Sequence, residues 1–221
     1  VVTQASKNGY FYVIDAVTGE FIDGKPYTEV NWSTGINKED GRPFIVADAR
    51  YNVTGEVYNL MPGPAGGHGW QPMSYSPDTG LVYIPATTHK SLVGAFDARQ
   101  QHLLENPETD QSFKGRLIAW DPVANKEVWR GEELTNPRGG VQVSGGTLAT
   151  AGNLVFHGNL PNQELVVYRA TDGKRLWDFD TKTAVFPGAI SYALDGEQYI
   201  AIAVGGPVQG GYYAPNGARL L

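Results

Sequence analysis

A strand, a tight turn and a second strand ending on a bulky apolar residue recur three times along this chain. The copies align on Asp15, Asp121 and Arg169, and their turns carry Thr18-Gly19, Ala124-Asn125 and Asp172-Gly173. Glycine and asparagine tolerate the positive φ that such turns need, and the flanking β-branched and aromatic residues favour strands. The third copy follows the second by 48 residues, a spacing typical of four-stranded propeller blades.

Upstream strands complete two of these hairpins as antiparallel blades. Residues 143–180 are expected to form four consecutive strands, and an earlier blade starts with strands near 70–75 and 81–85. An insertion from Thr87 to about Lys114 separates those strands from their hairpin. Residues 1–5 are expected to be the second strand of a blade, and two further strands follow at 188–193 and 198–204. The chain is therefore predicted to be all-β, with three to four propeller blades that are incomplete on their own.

Composition agrees with short strands and excludes several classes of protein. The chain has 28 glycines, 14 prolines, 11% aromatic residues and only 18% charged residues, which disfavours a helical bundle. It has no cysteine, so disulfides, thiolate metal sites and cysteine nucleophiles are excluded within it. A net charge of −6 without a basic run argues against a nucleic-acid partner, and no apolar run is long enough to cross a bilayer.

Common catalytic and metal-binding motifs are absent from the sequence. The histidines, His68, His89, His102 and His157, lack metal-ligand spacing, and no metal site is predicted in this chain. Asp178 and Asp180 follow the closing Trp177 of a hairpin and are interpreted as solvated. The glycine-rich stretches 63–69 and 205–207 do not open a helix, so nucleotide binding is disfavoured.

The tryptophans fall into two groups. Trp129 and Trp177 end their hairpins at matching repeat positions and are predicted to pack between blades, and Trp120, inside a strand, is predicted to be structural. Trp32 and Trp70 occupy loop or pre-strand positions, where an aromatic face either packs or meets a ligand.

Lys7 lies in the turn Lys7-Asn8-Gly9 between two strands. A lysine in such a turn is usually solvated. If the strands are radial, one class of turns points to the central axis, where a lysine could meet an anionic or carbonyl-bearing ligand. Both readings stay open on composition alone.

With these residues assembled, the chain closely resembles the carboxy-terminal part of the pyrroloquinoline quinone (PQQ)-dependent alcohol dehydrogenases, which are eight-bladed quinoproteins. The resemblance runs nearly end to end and keeps the order of the family's motifs. It is carried by residues 4–13, 31–32, 41–43, 70–77, 79–86, 115–122, 145–152 and 195–199. It implies that residues 1–221 are one segment of a single propeller domain, with insertions at about 23–69 and 87–114, and that the repeat is the family's tryptophan-docking motif.

The resemblance also implies a reaction and its cofactor. A primary or secondary alcohol is oxidised to a carbonyl while PQQ takes up two electrons. By motif, Lys7 matches the basic residue that approaches the quinone's C4 and C5 oxygens, Trp70 matches a residue at the cofactor's edge, and Trp32 resembles an aromatic wall of the substrate cavity. The implied partners are a small alcohol and a cytochrome c or other electron acceptor, in the bacterial periplasm or outside the cell.

Two departures weaken the inherited cofactor site. Gly69 stands where the family has asparagine, and the stretch around Pro207 lacks the family's tryptophan. The family's general-base Asp, its Ca²⁺ or lanthanide ligands and its adjacent-cysteine disulfide are expected upstream of Val1, so no catalytic residue is predicted in this chain. A chain or segment carrying the amino-terminal part of the propeller is therefore an expected partner.

Two functions remain as hypotheses. In the first, this is one segment of a PQQ-dependent alcohol dehydrogenase that is active only with the missing portion present. In the second, it is a non-catalytic propeller scaffold or binding module, with Gly69 and Pro207 marking relaxed cofactor contacts.

Overall fold

The computed structural model describes residues 1–94, 112–135, 143–205 and 218–221. The predictions made for His102 and for Pro207 lie outside these residues. The chain forms two compact units, Val1–Gly69 with Thr88–Ser112 and Trp70–Thr87 with Phe113–Leu221.

The described residues are mostly in short strands. In chain order these are β1 (Val2–Ala5), β2 (Tyr10–Ile14), β3 (Phe21–Pro26), β4 (Ser33–Ile36), β5 (Pro43–Ile45), β6 (Tyr58–Leu60), β7 (Ser74–Ser76), β8 (Leu81–Thr88), β9 (Ser91–Val93), β10 (Lys114–Asp121), β11 (Lys126–Arg130), β12 (Leu134–Thr135), β13 (Ser144–Thr150), β14 (Leu154–Asn159), β15 (Glu164–Arg169), β16 (Arg175–Asp180), β17 (Ile190–Leu194), β18 (Glu197–Ala201), β19 (Ala203–Val204) and β20 (Arg219–Leu220). A 3₁₀ turn (Ala47–Ala49) and a one-turn helix, α1 (Tyr51–Thr54), lie between β5 and β6.

The first unit is built on the antiparallel sheet β1-β2-β3, with the smaller pairs β4-β5 and β6-β9. The predicted first hairpin is confirmed as β2 and β3. Its turn forms because the Asp15 carboxylate accepts hydrogen bonds from the backbone N–H groups of Val17 and Thr18, both at 2.8 Å, and Gly19 takes a φ of +77°. Those backbone hydrogen bonds also lower the pKa of Asp15.

The second unit contains the two predicted four-stranded blades. One sheet has the order β11-β10-β8-β7, with β12 also pairing β10, and the other has the order β13-β14-β15-β16. The predicted insertion in the first of these blades lies between β8 and β10, which are neighbours in the sheet. The two strands predicted after the third hairpin are confirmed as β17 and β18, whereas the β19-β20 pair was not predicted.

Trp129 packs between the two blades of the second unit, as predicted. Its indole N–H donates to the Ala170 carbonyl at 2.9 Å, and its ring centroid lies 5.8 Å from that of Tyr83 and 6.3 Å from that of Tyr168. Trp120 is also buried, as predicted, and donates its indole N–H to Asn125 at 2.9 Å. Both tryptophans therefore combine apolar burial with a satisfied polar group.

The prediction of inter-blade packing for Trp177 is wrong for the described residues. This side chain is 49% exposed and stacks on Phe179 of the same strand, with ring centroids 6.0 Å apart. Trp129 also lies on the terminal strand of its sheet, but Tyr168 and Ala170 of the other blade lie against it. About half of the Trp177 side chain has no described residue over it.

Glycines allow close backbone packing around β13. A methyl group on Gly146 would lie 2.5 Å from the backbone nitrogen of Gly188 and 2.6 Å from Pro72. The backbone N–H of Thr147 donates to the Pro72 carbonyl at 2.9 Å, which holds the segment before β7 against β13. The glycine pair at 145–146 therefore has a packing role, since any side chain at Gly146 would push these segments apart.

We predict that Gly146→Ala destabilises the protein by about 1–3 kcal/mol, because the added methyl overlaps the backbone nitrogen of Gly188 and the ring of Pro72. Gly152→Ala is the matched control, since a methyl there meets only the Thr150 hydroxyl, at 3.7 Å. Its effect should stay within about 0.5 kcal/mol. Urea unfolding of both variants measures the difference, and equal destabilisation would contradict the packing role.

His157 is a buried neutral histidine in the second unit. It is 1% exposed, its Nε2 lies 2.7 Å from the Ser144 hydroxyl, and its Nδ1 has no hydrogen-bond partner among the described residues. Burial lowers its pKa to about 3, because the imidazolium would lose its hydration. The unfolded chain therefore binds a proton at this residue between about pH 6.5 and pH 3, and the folded chain does not.

We predict that this histidine makes the folded state lose stability as the pH falls from 7 toward 4, since the unfolded state binds more protons there. The His157→Gln variant should show a shallower fall in its thermal unfolding midpoint over that range than the wild type. Carboxylates contribute equally to both proteins, so the comparison isolates the histidine. Parallel pH profiles would refute its contribution.

Candidate functional site

A cavity of about 490 Å³ opens within the first unit. Its polar lining is Lys7, Asn8, Arg50 and Asn52, and its apolar lining includes Trp32, Ile45, Leu60 and Pro62. Mainly apolar walls with a few polar groups are typical of sites for small organic ligands. Of the four residues predicted for the cofactor and substrate, Lys7 and Trp32 therefore share one cavity.

Lys7 is held in a turn between β1 and β2 that is fixed from several sides. Within the turn, the N–H of Gly9 donates to the Ser6 carbonyl at 3.0 Å and the N–H of Ser6 donates to Tyr10 at 2.9 Å. The hydroxyl of buried Tyr27 donates to the same Ser6 carbonyl at 2.7 Å. The backbone that carries Lys7 is thereby fixed, while its side chain stays exposed toward the cavity.

A glycine-rich loop lies against Lys7. The N–H of Gly67 donates to the Lys7 carbonyl at 2.9 Å, and Gly66, with a φ of +83°, lies so close that a methyl on it would be 2.1 Å from the lysine Cγ. The sequence reading placed no dinucleotide motif in stretch 63–69. The structure gives the stretch a different role, since its missing side chains make room for the stem of Lys7.

Trp32 forms a wall of the cavity next to the same turn. Its indole N–H donates to the Asn8 carbonyl at 3.1 Å, and its ring meets that of Tyr10 edge to face, with centroids 6.0 Å apart. The Asn8 side chain accepts from the N–H of Tyr10 at 3.0 Å and donates to the Tyr12 hydroxyl at 2.9 Å. The polar atoms of Trp32 and of the Asn8 amide are thus used in holding the site together.

Asn31 positions Trp32 from the other side. It donates its side-chain amide to the Asn59 carbonyl at 2.7 Å, and its side-chain oxygen accepts from the N–H of Met61 at 2.8 Å. The hydroxyl of Tyr58 donates to the Asn31 carbonyl at 2.8 Å. Sequence reasoning quoted Asn31 within a motif but gave it no role, because the loop that it joins is 27 to 30 residues away along the chain.

Trp70 and Gly69 were predicted to contact the cofactor. Trp70 belongs to the second unit, is 61% exposed, and stacks on Phe186 with centroids 6.5 Å apart and planes 22° apart. One face of its indole is thereby supported, and much of the side chain stays accessible. Gly69 is exposed and ends the first stretch of the first unit.

Sequence reasoning missed Arg50 and Asn52. Both line the cavity from the segment that begins helix α1, and both come after the β4-β5 pair inside the predicted insertion 23–69. The only sequence signal was that both are polar residues inside the predicted insertion 23–69, where the repeat offers no position to compare them with.

The described residues contain no cluster of three or more His, Asp or Glu side chains that could hold a metal ion. His89, which lies against the glycine-rich stretch 63–69, is buried, and burial lowers its pKa to about 4. None of the helices within the described ranges has the length and apolar character needed to cross a membrane.

Similarity to known proteins agrees with this architecture. Residues 115–200 match the family described as "PQQ: Glucose/ethanol/alcohol dehydrogenase, beta-propeller domain". The chain is 39% identical over 224 residues to the "Alcohol dehydrogenase (quinone), dehydrogenase subunit" of Gluconacetobacter polyoxogenes, covering 93% of this chain and 29% of that protein. It is also 39% identical over 232 residues to the "1-butanol dehydrogenase (cytochrome c)" of Thauera butanivorans, covering 96% of this chain and 32% of that protein.

Solved structures show the same fold. The quinohemoprotein alcohol dehydrogenase of Comamonas testosteroni matches with a TM-score of 0.78 and 38% identity, over 92% of this chain and 31% of that chain. A europium-containing methanol dehydrogenase matches with a TM-score of 0.72 and 26% identity, over 94% of this chain and 36% of that chain. The antiparallel blades are therefore part of a β-propeller of the quinoprotein dehydrogenase class.

The resemblance identified from sequence motifs is confirmed. Residues 115–200 match the β-propeller domain of this family, and 93% of the chain is similar to a quinone-dependent alcohol dehydrogenase subunit. It spans about 30% of the length of the curated relatives that it matches.

We predict that Gly66→Ala destabilises the first unit more than Gly19→Ala does. Both glycines have a positive φ, so both variants carry a backbone cost of about 1–2 kcal/mol. Only at Gly66 does the methyl also collide with Lys7, whereas it meets nothing within 4 Å at Gly19. Chemical denaturation should show an additional loss of at least about 1 kcal/mol for Gly66→Ala. Equal losses would mean that the loop does not hold the lysine.

Proposed function

We propose that this chain takes part in the oxidation of primary or secondary alcohols to carbonyl compounds, as one segment of a PQQ-dependent alcohol dehydrogenase. The observation that carries the proposal is the cavity lined by Lys7 and Trp32 in a chain similar to this family. PQQ, when bound, accepts the two electrons of the oxidation. This chain contributes residues that bind and orient the cofactor and the alcohol.

Lys7 is proposed to donate hydrogen bonds to the carbonyl oxygens of the quinone. Its side chain has no ion-pair partner among the described residues, and its backbone is fixed by Tyr27, through Ser6, and by Gly67. An ammonium group extending from this fixed backbone would stabilise negative charge that develops on those oxygens during reduction. The charge of the lysine thus suits the cofactor.

Trp70 is proposed to contact the edge of the cofactor's ring system. Its accessible indole, backed by Phe186, suits contact with a flat aromatic molecule. Gly69 supplies backbone but no amide side chain, so one hydrogen bond of the family's site is missing at this position. Trp32 is proposed as an aromatic wall against which the alkyl part of the alcohol packs.

Further components are proposed to come from outside this chain. The general-base Asp, the ligands of a Ca²⁺ or lanthanide ion, and the remaining blades are assigned to an amino-terminal segment or partner chain. We propose a cytochrome c or similar electron acceptor, in line with the name of the Thauera butanivorans relative. We also propose a periplasmic location. The packing of Trp129 supports a tryptophan-docking role for the repeat.

A non-catalytic scaffold is the alternative function. The absence of an amide at Gly69 favours it, since one cofactor contact is lost. The cavity with an exposed lysine favours the enzyme instead, because a scaffold does not need a glycine loop that makes room for the stem of a cavity-lining lysine. The two functions differ in whether the complete protein binds PQQ.

We predict that Lys7→Ala lowers kcat for alcohol oxidation about 100- to 1,000-fold in the complete PQQ- and Ca²⁺-loaded protein, because a preorganised donor at the developing negative charge is lost. Dye-linked oxidation of 1-butanol measures the effect. Lys25→Ala, which removes an exposed lysine of β3 outside the cavity lining, is the control and should retain wild-type activity. Failure of the complete wild-type protein to bind PQQ would support the scaffold function.

A further inference from the structure

Arg50 differs from the other arginines in the described ranges because its guanidinium has no protein partner there. The others all contact an acceptor: Arg42 contacts Asp40, Arg116 contacts Glu133, Arg130 contacts Glu127, Arg169 contacts Asp172, Arg175 contacts Glu132, Glu164 and Asp178, and Arg219 donates to the Thr181 carbonyl. Those contacts account for the arginines as structural or surface groups. Arg50 instead lines the cavity.

The polar groups of the cavity divide into used and available donors. The indole N–H of Trp32 and the side-chain amide of Asn8 already make hydrogen bonds that hold the turn. The side chains of Arg50 and Asn52 make no hydrogen bond or ion pair with the described residues. These two residues lie on one short segment, with Asn52 inside α1 and Arg50 directly before it. The segment therefore presents a guanidinium and an amide to whatever occupies the cavity.

The chemistry of these donors selects an oxyanion. A guanidinium binds carboxylates through two parallel hydrogen bonds, and an amide N–H₂ group can add a third. Among the described residues that line the cavity, none carries a carboxylate that would compete for Arg50. Ile45, Leu60 and Trp32 supply apolar surface for a short carbon chain in the same cavity.

We propose that Arg50, assisted by Asn52, binds a carboxylate on the substrate and thereby makes hydroxycarboxylates preferred substrates over neutral alcohols of the same chain length. The inference rests on the proposed function, in which Lys7 serves the quinone and leaves Arg50 to the substrate. The alkyl chain between the hydroxyl and the carboxylate packs along the apolar lining.

The first test is a ratio of specificity constants in the complete PQQ-loaded protein. The wild type should have a higher kcat/KM for 4-hydroxybutyrate than for 1-butanol. Arg50→Leu should lower the ratio of these two values about 10- to 100-fold, the loss expected for hydrogen bonds to a charged group. Arg50→Lys should give an intermediate ratio, because it keeps the charge but not the fork of donors.

Arg42→Leu is the matched control, since this arginine lies in the same unit next to β5 and does not line the cavity. Its ratio should equal that of the wild type. The inference is overturned if Arg50→Leu leaves the ratio unchanged. It is also overturned if the variant loses PQQ affinity in a binding titration with no change in ratio, which would assign Arg50 to the cofactor.

A second measurement separates this inference from the proposed function. Butyrate carries the carboxylate without the hydroxyl, so its binding needs no turnover and no PQQ. NMR titration of the cofactor-free complete protein with ¹³C-labelled butyrate should show binding that Arg50→Leu weakens at least tenfold and Arg42→Leu leaves unchanged. If no alcohol is oxidised but this pattern holds, the proposed function fails and the carboxylate site stands. If butyrate binds the wild type and Arg50→Leu equally, or binds neither, the site is refuted.

Discussion

The carbonyl of Ala170 accepts two hydrogen bonds that join the blades of the second unit. The Trp129 indole donates from β11 at 2.9 Å, and the Tyr83 hydroxyl donates from β8 at 3.0 Å. Ala170 directly follows β15, so one acceptor ties both sheets together. A sheet face must be covered to be stable. Here the two blades cover each other, and buried residues from both form one apolar core beside this shared acceptor. Without it, the buried indole N–H of Trp129 would lack a partner, and the Tyr83 hydroxyl would keep only its hydrogen bond with the Thr79 hydroxyl, at 2.8 Å.

Glycine recurs where elements meet, because packed elements must approach each other closely. Gly173, in the turn of the third hairpin, faces the Trp129 ring so closely that a methyl on it would lie 2.5 Å from a ring carbon. In the first unit, Gly66 makes equivalent room for Lys7. Glycines that look like flexible turns in the sequence thus fix the positions of large side chains, one for the core and one for the cavity.

The repeat made much of the fold predictable. Hairpins with Asx-type turns, such as the one at Asp15, depend only on residues that are close in the sequence, so the sequence is enough to predict them. The strand order of residues 143–180 follows from such hairpins between successive strands. Trp177 shows the limit of that reasoning, since a repeat position predicts burial only where a neighbouring blade exists, and neighbours are not a local property. The cavity was half predictable for the same reason. Lys7 and Trp32 belong to motifs that carry the family resemblance, whereas Arg50 and Asn52 lie in a part of the predicted insertion 23–69 that carries no such motif.

Insertions are where a conserved scaffold acquires its own binding properties, because they lie outside the hydrogen-bonded ladder and are free to vary. In this chain the segment between β5 and β6 has little buried apolar surface, so packing in the described residues does not account for its polar side chains. The other arginines of the described residues contact carboxylates, except Arg219, which donates to a backbone carbonyl. A cation that is left without an acceptor beside an apolar cavity carries a solvation cost on ligand entry unless the ligand itself supplies the counter-charge. Charge balance within the cavity therefore favours an anionic ligand over a neutral one of similar size.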